Sequence, residues 1–368
     1  MVQPRRPGAV RTLTWVAIVI VLVLCALATM LVIGLSTGIT GSLVGLMLAI
    51  LPVFPVATAL LWLDRYEDEP PLLLGFAFAW GATAAVIIAL VFSIGSMVVI
   101  TTAGGGDDLG AVVVAPVVEE SAKGLAVLLV LVIRRGQFNG VVDGIVYAGL
   151  SGLGFAFAEN ILYLGSAFLD GGLTSAIVVF VLRCVMGPFA HPMFTAAFGI
   201  GLGLAVRTTN GALKAVYPLT GLAVAMMLHA LWNGMAIFGG EGYLIGYVLI
   251  QLPIFAAFVA FAVIVRRREG RLIAEHLRIY AETGWITGQE LAMLSSPVGR
   301  RQARAWAAHV GGGPARKSMR DFQELASELS FLRERMHKGA ADATARQTEV
   351  DLLRTMWQLR QGFTPRLG

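Results

Sequence analysis

The stretch PVVEESAKGL, residues 116–125, decides how this chain is read. It lies inside AVVVAPVVEESAKGLAVLLVLVI, residues 111–133, a run long and apolar enough to cross a bilayer. Two glutamates and a lysine, Glu119, Glu120 and Lys123, therefore stand where only hydrocarbon is comfortable. Ionisable groups in a spanning helix are costly and mark functional sites by default. Glu119 and Lys123 are four residues apart, the favourable order for a helical ion pair, which leaves Glu120 without a local partner.

The rest of the composition agrees with a membrane setting. The 368 residues are 57% hydrophobic and only 14% charged, whereas a soluble domain carries about a quarter charged residues. Cys25 and Cys184 both lie in apolar runs and form neither a metal-binding pattern nor a disulfide framework. The net charge of +5 is unevenly spread. Residues 1–265 hold 10 Lys/Arg against 12 Asp/Glu, and residues 266–368 hold 18 against 11. The basic excess belongs to the tail, where it fits retention on the cytoplasmic side beside anionic lipid; it is not read as direct nucleic-acid binding.

Apolar runs of spanning length occur near 13–36, 41–63, 72–100, 111–133, 144–166, 174–206, 215–238 and 243–265. Arg5, Arg6 and Arg11 precede the first; Arg65, Arg134 with Arg135, Arg207 with Lys214, and Arg266 to Arg268 follow alternate runs. The intervening loops STGIT, TTAGGGDDLG, SAFLDGGL and GGEGY carry no Lys or Arg. The expectation is an all-α, polytopic plasma-membrane protein with about eight transmembrane helices and both termini cytoplasmic. Residues 1–265 form its core and 266–368 a mainly helical cytoplasmic tail. The 174–206 run is long for one crossing, and Gly187-Pro188 is expected to kink it. In the tail, TGQE at 287–290 has capping-box form, and GGGPARKS marks a linker around 311–318. Phe322, Leu325, Leu329, Leu332 and Met336 recur as on an amphipathic helix, and a last helix is expected over 342–361.

The spans contain few other ionisable groups: Glu159, His191, His229 and Arg183, the last expected to reach the outer interface. Counted from the cytoplasmic helix ends, Glu120, Glu159, His191 and His229 all come to roughly 21–24 Å depth at 1.5 Å per residue. Four helices thus bring acids and imidazoles to one level. Two histidines and a carboxylate are a donor set for catalytic zinc, and a spare carboxylate can take a proton from water. No HExxH is present, so such ligands must come from separate helices. Asn233, on the His229 face in HALWN, is placed to orient a substrate carbonyl or to bond across helices. The glycines of GLSGLGFA and GIGLG, including Gly199 and Gly203, suit close helix approach. The same buried acids and histidines also suit a proton-coupled transporter or channel, which predicts inverted repeats; none is evident.

Taken together, the chain resembles the PrsW family of intramembrane proteases. The acidic loop LDRYEDEPP at 63–71, EESAK at 119–123 as EExxK, FAFAEN at 155–160 as FxxxE, AHPMFTAAFGIGLG at 190–203 and HALWN at 229–233 occur in the family's order, over about residues 40–265. The family is similar in turn to CAAX-processing and bacteriocin-related membrane endopeptidases, whose motifs read EExxxR, FxxxH and HxxxN. Here Lys123 stands for the arginine at shorter spacing, and Glu159 stands where a histidine would. The resemblance implies hydrolysis of peptide bonds in single-pass membrane proteins, anti-sigma factors among them, near the extracytoplasmic face. It implies zinc held by Glu159, His191 and His229, water activated by Glu119 or Glu120, an oxyanion donor in Asn233, and Lys123 as charge partner. A metal-free reaction with a glutamate activating water stays open beside it.

Overall fold

The computed structural model describes residues 9–66, 69–102, 106–133, 138–341 and 343–363. Every regular element among them is helical. Arg5 and Arg6, the pair Arg134-Arg135, and Glu67 and Asp68 of the acidic loop lie outside the described residues.

Helix α1 (Ala9–Ala49) is broken at Gly38, which takes the left-handed φ of 60°. It is followed by α2 (Val53–Leu63), α3 (Pro71–Trp80) and α4 (Val86–Thr102), the last two joined by a π-helical turn at Gly81–Ala85. A second π-turn, Gly110–Val114, leads into α5 (Ala115–Ile133), the helix that carries EESAK. Helix α6 (Val141–Phe180) is broken at Gly171-Gly172 and runs on through a π-turn at Val181–Met186. After a bend at Gly187-Pro188 come α7 (Ala190–Arg207) and α8 (Gly211–Ile237). A π-turn at Tyr247–Gln251 then opens α9 (Leu252–Glu282).

Five stretches among the described residues are long and apolar enough to cross a membrane: Leu13–Leu63, Pro71–Thr102, Val141–Arg207, Gly211–Ile237 and Gly239–Glu282. The protein is thus a multi-pass membrane protein. The difference from the eight expected runs has local causes. STGIT and SAFLDGGL are tight breaks at Gly38 and Gly171-Gly172 and not open loops, so each of two long stretches contains two expected runs. The 111–133 run carries three charges, Glu119, Glu120 and Lys123.

The first half of α6 is the centre of the bundle. Every residue from Val141 to Ala156 is buried, and small side chains recur at Gly144, Ala148, Gly149, Gly152 and Gly154. A helix apolar all round belongs in a core, and small residues let neighbouring backbones come close. A methyl group on Gly144 would strike the Gly199 carbonyl of α7, and one on Gly199 would strike the Gly144 carbonyl. Gly203 meets Gly140 in the same way, and Gly152 admits the backbone carbonyl of His191. The glycine spacing of the α7 sequence thus serves close approach, as expected, and it sets the depth at which His191 sits. Outside, α1 shows Leu31, Leu35 and Ile39 at 62%, 79% and 82% exposure, the surface that hydrocarbon covers.

The tail folds as helices α10 (Gly288–Leu294), α11 (Pro297–His337) and α12 (Ala345–Arg360). The capping box forms: the Thr287 hydroxyl accepts from the Glu290 amide at 3.1 Å, and the Glu290 carboxylate accepts from the Thr287 amide at 2.7 Å. The expected linker at 311–318 is a tight helix-to-helix turn. Gly311 and Gly312 have φ of −136° and 66°, close to −146° and 65° at Gly171 and Gly172, and Ala315 and Met319 are already buried. Phe322, Leu329 and Leu332 line the tail's own core with Ile273, Leu277 and Leu294.

This core is clamped to one end of the bundle. The Tyr66 carbonyl accepts from the Arg300 guanidinium and from the Ser327 hydroxyl, and the Tyr66 hydroxyl donates to the Ser295 carbonyl at 3.1 Å. At the same end the Tyr147 hydroxyl donates to Glu69 at 2.6 Å, and the Glu69 amide donates to Asp64 at 3.0 Å. Arg207, at the end of α7, forks onto both oxygens of Glu334. Burial works against charge on Glu334, but hydrogen bonds from Arg207 and Lys338 outweigh it and hold the carboxyl below its ordinary range. The contact therefore contributes stability above the ordinary carboxylate pKa and loses it as pH falls through the depressed value.

Replacing Gly144 or Gly199 by valine should force α6 and α7 apart. Overpacking of this kind costs about 1–3 kcal/mol. In purified detergent-solubilised protein, the expected result is an apparent unfolding temperature lowered by about 5 °C or more.

Candidate active site

Helix α5 places Glu119, Glu120 and Lys123 on adjacent positions of one turn, and two neighbours hold its backbone there. The Trp80 indole donates to the Ala122 carbonyl at 2.9 Å, and the Ser151 hydroxyl donates to the Lys123 carbonyl at 2.9 Å. The Lys123 ammonium is fully buried. It donates to Glu120 at 2.7 Å and to Glu119 at 3.3 Å, reaches Nδ1 of His191 at 3.1 Å, and lies 4.1 Å from the centre of the Phe155 ring.

Glu120, far from being left unpaired, is the best-satisfied acid of the group. Lys123 was expected to choose Glu119; it bonds Glu120 more closely because two other helices aim donors at the same carboxylate. Thr195 of α7 donates its hydroxyl to Oε2 at 2.8 Å, and Nδ1 of His229 from α8 lies 2.8 Å from Oε1. Glu119 uses only Oε2, at 3.3 Å from Lys123 and 3.8 Å from Nε2 of His229. Its side chain keeps 13% exposure against none for Glu120.

The partners assign the histidine protons. Carboxylate Glu120 only accepts, so His229 donates to it from Nδ1 and turns Nε2 elsewhere. Lys123 only donates, so His191 accepts at Nδ1 and carries its proton on Nε2, which points at Oε2 of Glu159 at 3.0 Å. The two imidazoles stand edge to face with centroids 5.1 Å apart, and Phe194 stacks on His229 at 5.3 Å.

Glu159 brings in a residue that the sequence placed elsewhere. Arg183, expected at the outer interface, turns inward and pairs with Glu159, while its Nε donates to the Asn160 side chain at 2.8 Å. The reason is the turn at Gly171-Gly172. Asn160 lies eleven residues before Gly171 and Arg183 eleven after Gly172, so the two arms of the hairpin bring them level. That symmetry was the available signal. Asn233 lies one turn beyond His229, and its amide donates to the Ala111 carbonyl of the π-turn at 2.8 Å.

Ligand atoms of Glu119, His191 and His229 all lie within 4.8 Å of one another. Donors sharing a zinc ion sit about 3–3.5 Å apart, given metal–ligand bonds near 2.0–2.1 Å. Small side-chain adjustments therefore bring the donors into range. The cluster gathers three carboxyl groups, Glu119, Glu120 and Glu159, around Lys123 and Arg183, together with two imidazoles, a donor set of the kind that zinc takes.

The comparisons with known proteins bear on the same residues. A sequence model described as PrsW family intramembrane metalloprotease matches residues 69–258. A protein named Protease PrsW from Clostridioides difficile is 30% identical over 189 residues, which is 50% of this chain and 77% of that protein. Proteins of the same name from Geobacillus kaustophilus and Bacillus subtilis are each 28% identical, over 190 and 170 residues, covering 51% and 46% of this chain and 78% and 72% of theirs. No solved structure matches. The matched region contains every side chain of the cluster and stops short of the tail helices α10 to α12.

The geometry makes Lys123 the keystone of the buried charges. Lys123→Met should leave two carboxylates uncompensated, at a cost of about 3–5 kcal/mol. The expected outcome is loss of folded protein in the membrane fraction. The triple variant Lys123→Met with Glu119→Gln and Glu120→Gln should recover most of it, measured as folded yield by fluorescence-detected size exclusion.

Proposed function

Because the chain belongs to the PrsW family of intramembrane metalloproteases and is a peptidase, we propose that it cuts single-pass membrane proteins near the extracytoplasmic face, with Glu119 activating the attacking water. The observation that carries this reading is the convergence of ionisable groups from α5, α6, α7 and α8 into one contact network. A transporter would use such a cluster for relay, but it would not belong to a peptidase family.

In this reading the bundle crosses the bilayer eight times. The glycine breaks at Gly38 and Gly171-Gly172 divide the two overlong apolar stretches into two crossings each. Helix α5 is a further crossing, despite its three charges, because those charges face inward. With Arg65, Arg207, Lys214 and Arg266 to Arg268 on the cytoplasmic side, both termini are cytoplasmic. His191 then lies 16 residues from Arg207, roughly 24 Å from that surface, in the outer half of the membrane.

His191 and His229 would be the imidazole ligands and Glu159 the third, as the motifs imply, with His191 ligating through Nε2 once its proton moves to Nδ1 and Lys123 turns wholly to its glutamates. When bound, the metal, zinc in our reading, polarises the scissile carbonyl and makes water more acidic. Glu119 is the proton acceptor because its Oε1 has no bond among the described residues, whereas both oxygens of Glu120 are engaged. It takes a proton from water as the oxygen bonds the scissile carbon. It returns that proton to the leaving amine as the C–N bond breaks. Glu120 fixes the His229 ring, Arg183 steadies Glu159, and Lys123 holds both glutamates of α5. The second N–H of the Asn233 amide serves the developing oxyanion.

One alternative has an observation behind it. Glu119 itself fits as third ligand, since it joins both histidines in the close trio. Metal analysis and cleavage separate the two. Glu119→Gln is expected to keep stoichiometric metal while cleavage of a membrane substrate falls 10²–10⁴-fold, roughly the range of general-base loss. Glu159→Gln, His191→Ala and His229→Ala are expected to lose metal and cleavage together. Metal lost from Glu119→Gln but kept by Glu159→Gln reverses the two roles. Undiminished cleavage by well-folded His191→Ala ends the metal mechanism.

A further inference from the structure

Beside the cluster lies an apolar cavity of about 190 Å³ that the chemistry above does not use. Its walls are Met193 of α7, Trp232 of α8, Tyr247 and Gln251 of the last π-turn, and Phe255 of α9. It shares Gly187, Pro188, Ala190 and Trp232 with a smaller cleft that reaches His191, Arg183 and Asn160. Trp232 is thus a partition between the cavity and the reacting groups. Gly187 makes room for it, since a methyl group there would meet the indole ring. On the other side, Val185 and Leu252 at the rim are 58% and 45% exposed, on the surface that lipid covers.

One wall residue is out of place. The Gln251 side chain is 4% exposed, and its amide nitrogen has no hydrogen-bond partner among the described residues. A buried donor without an acceptor is costly and rare in a folded protein. Tyr247, beside it in the wall, is satisfied: its hydroxyl donates to the Met186 carbonyl at 2.9 Å. Gln251 is thus a wall residue of an apolar chamber whose amide donor has no acceptor among the described residues.

We propose that this chamber is a substrate subsite: it takes one large apolar side chain beside the scissile bond, while the Gln251 amide donates to a backbone carbonyl of the same segment. The inference rests on the peptidase reading. A transmembrane substrate keeps its carbonyls bonded within its own helix until it is unwound for cleavage. Unwinding frees carbonyls in a medium without water, and Gln251 answers one of them. A cavity of roughly 150 Å³ accepts benzene, so this one accepts a leucine or phenylalanine side chain. A lipid acyl chain would fill the space equally well by shape, but it offers the amide no acceptor. The exposed rim gives a substrate lateral entry from the bilayer, and the shared partition puts its neighbouring peptide bond beside His191.

The test uses full-length protein in detergent and synthetic single-pass transmembrane peptides that differ at one scanned position, with cut sites read by mass spectrometry. Wild type is expected to favour Leu or Phe over Gly or Ala by tenfold or more at a fixed position relative to the cut. Gln251→Leu should lower kcat/KM about tenfold on every peptide while its thermal stability is unchanged or higher. A residue with only a structural role would lower both together. Phe255→Ala should move the preference towards Trp. Identical rates and preferences in both variants would overturn the subsite, as would changes confined to co-purified lipid. Occupancy is read separately in Glu119→Gln protein, where a peptide carrying p-benzoylphenylalanine at the preferred position should crosslink to Met193 or Phe255. Crosslinking elsewhere sinks the subsite alone; a wild type that cuts none of the peptides counts against the peptidase reading, and the crosslink still decides occupancy.

Discussion

A single ammonium group inside a spanning helix holds the two acids of α5 in place. Lys123 touches both glutamates of its own turn and a histidine of another helix, with no exposure to solvent. In hydrocarbon an uncompensated carboxylate would take up a proton or disrupt the helix that carries it. Once Lys123 is fixed by the Phe155 ring beneath it, Glu120 is fixed; once Glu120 is fixed, His229 and Thr195 have their partners. The order of dependence runs outward from one charge to three neighbouring helices. Packing of small residues between α6 and α7 then decides how near those helices can stand.

The site divides into groups that are saturated and groups that are not. Glu120, Lys123 and Arg183 have every charge answered by neighbours, the pattern of residues that shape a site. Glu119 has no bond on Oε1 among the described residues, and its Oε2 lies 3.8 Å from Nε2 of His229, the ring nitrogen that Glu120 does not engage. The groups with unused capacity are neighbours, and that is where chemistry has room to occur. The π-helical turns have a related place in the architecture. One presents the Ala111 carbonyl to Asn233, one carries Arg183, and one ends at Gln251. Such turns occur often at functional sites because the extra residue re-aims side chains without ending the helix.

Much of this was legible in the residues alone. Scarce acids and histidines in apolar runs, at one depth, pointed to a cluster, and the cluster forms. The finer choices were not legible, for physical reasons. A lysine can reach glutamates three or four residues back with equal ease, so the preference for Glu120 depends on donors from α7 and α8. Arg183 looked like an interfacial residue because it lies in the outer part of its run, and only its distance from the Gly171-Gly172 turn, equal to that of Asn160, sets it level with the cluster. GGGPARKS looked like a linker by composition, yet its first two glycines adopt the same conformation as the turn at Gly171-Gly172. Gly-Gly between two amphipathic stretches marks a reversal of direction as readily as a loose tether.

Helix α9 joins two parts of the molecule that the composition separates. Its first residues adjoin Gln251 and the chamber beside the cluster; its last turns, through Ile273 and Leu277, lie in the tail's core. At 1.5 Å per residue it is a rod about 46 Å long. Its far end is gripped by helices that also clasp Tyr66, so one unbroken rod, with no glycine break along it, ties the tail's core to the membrane chamber.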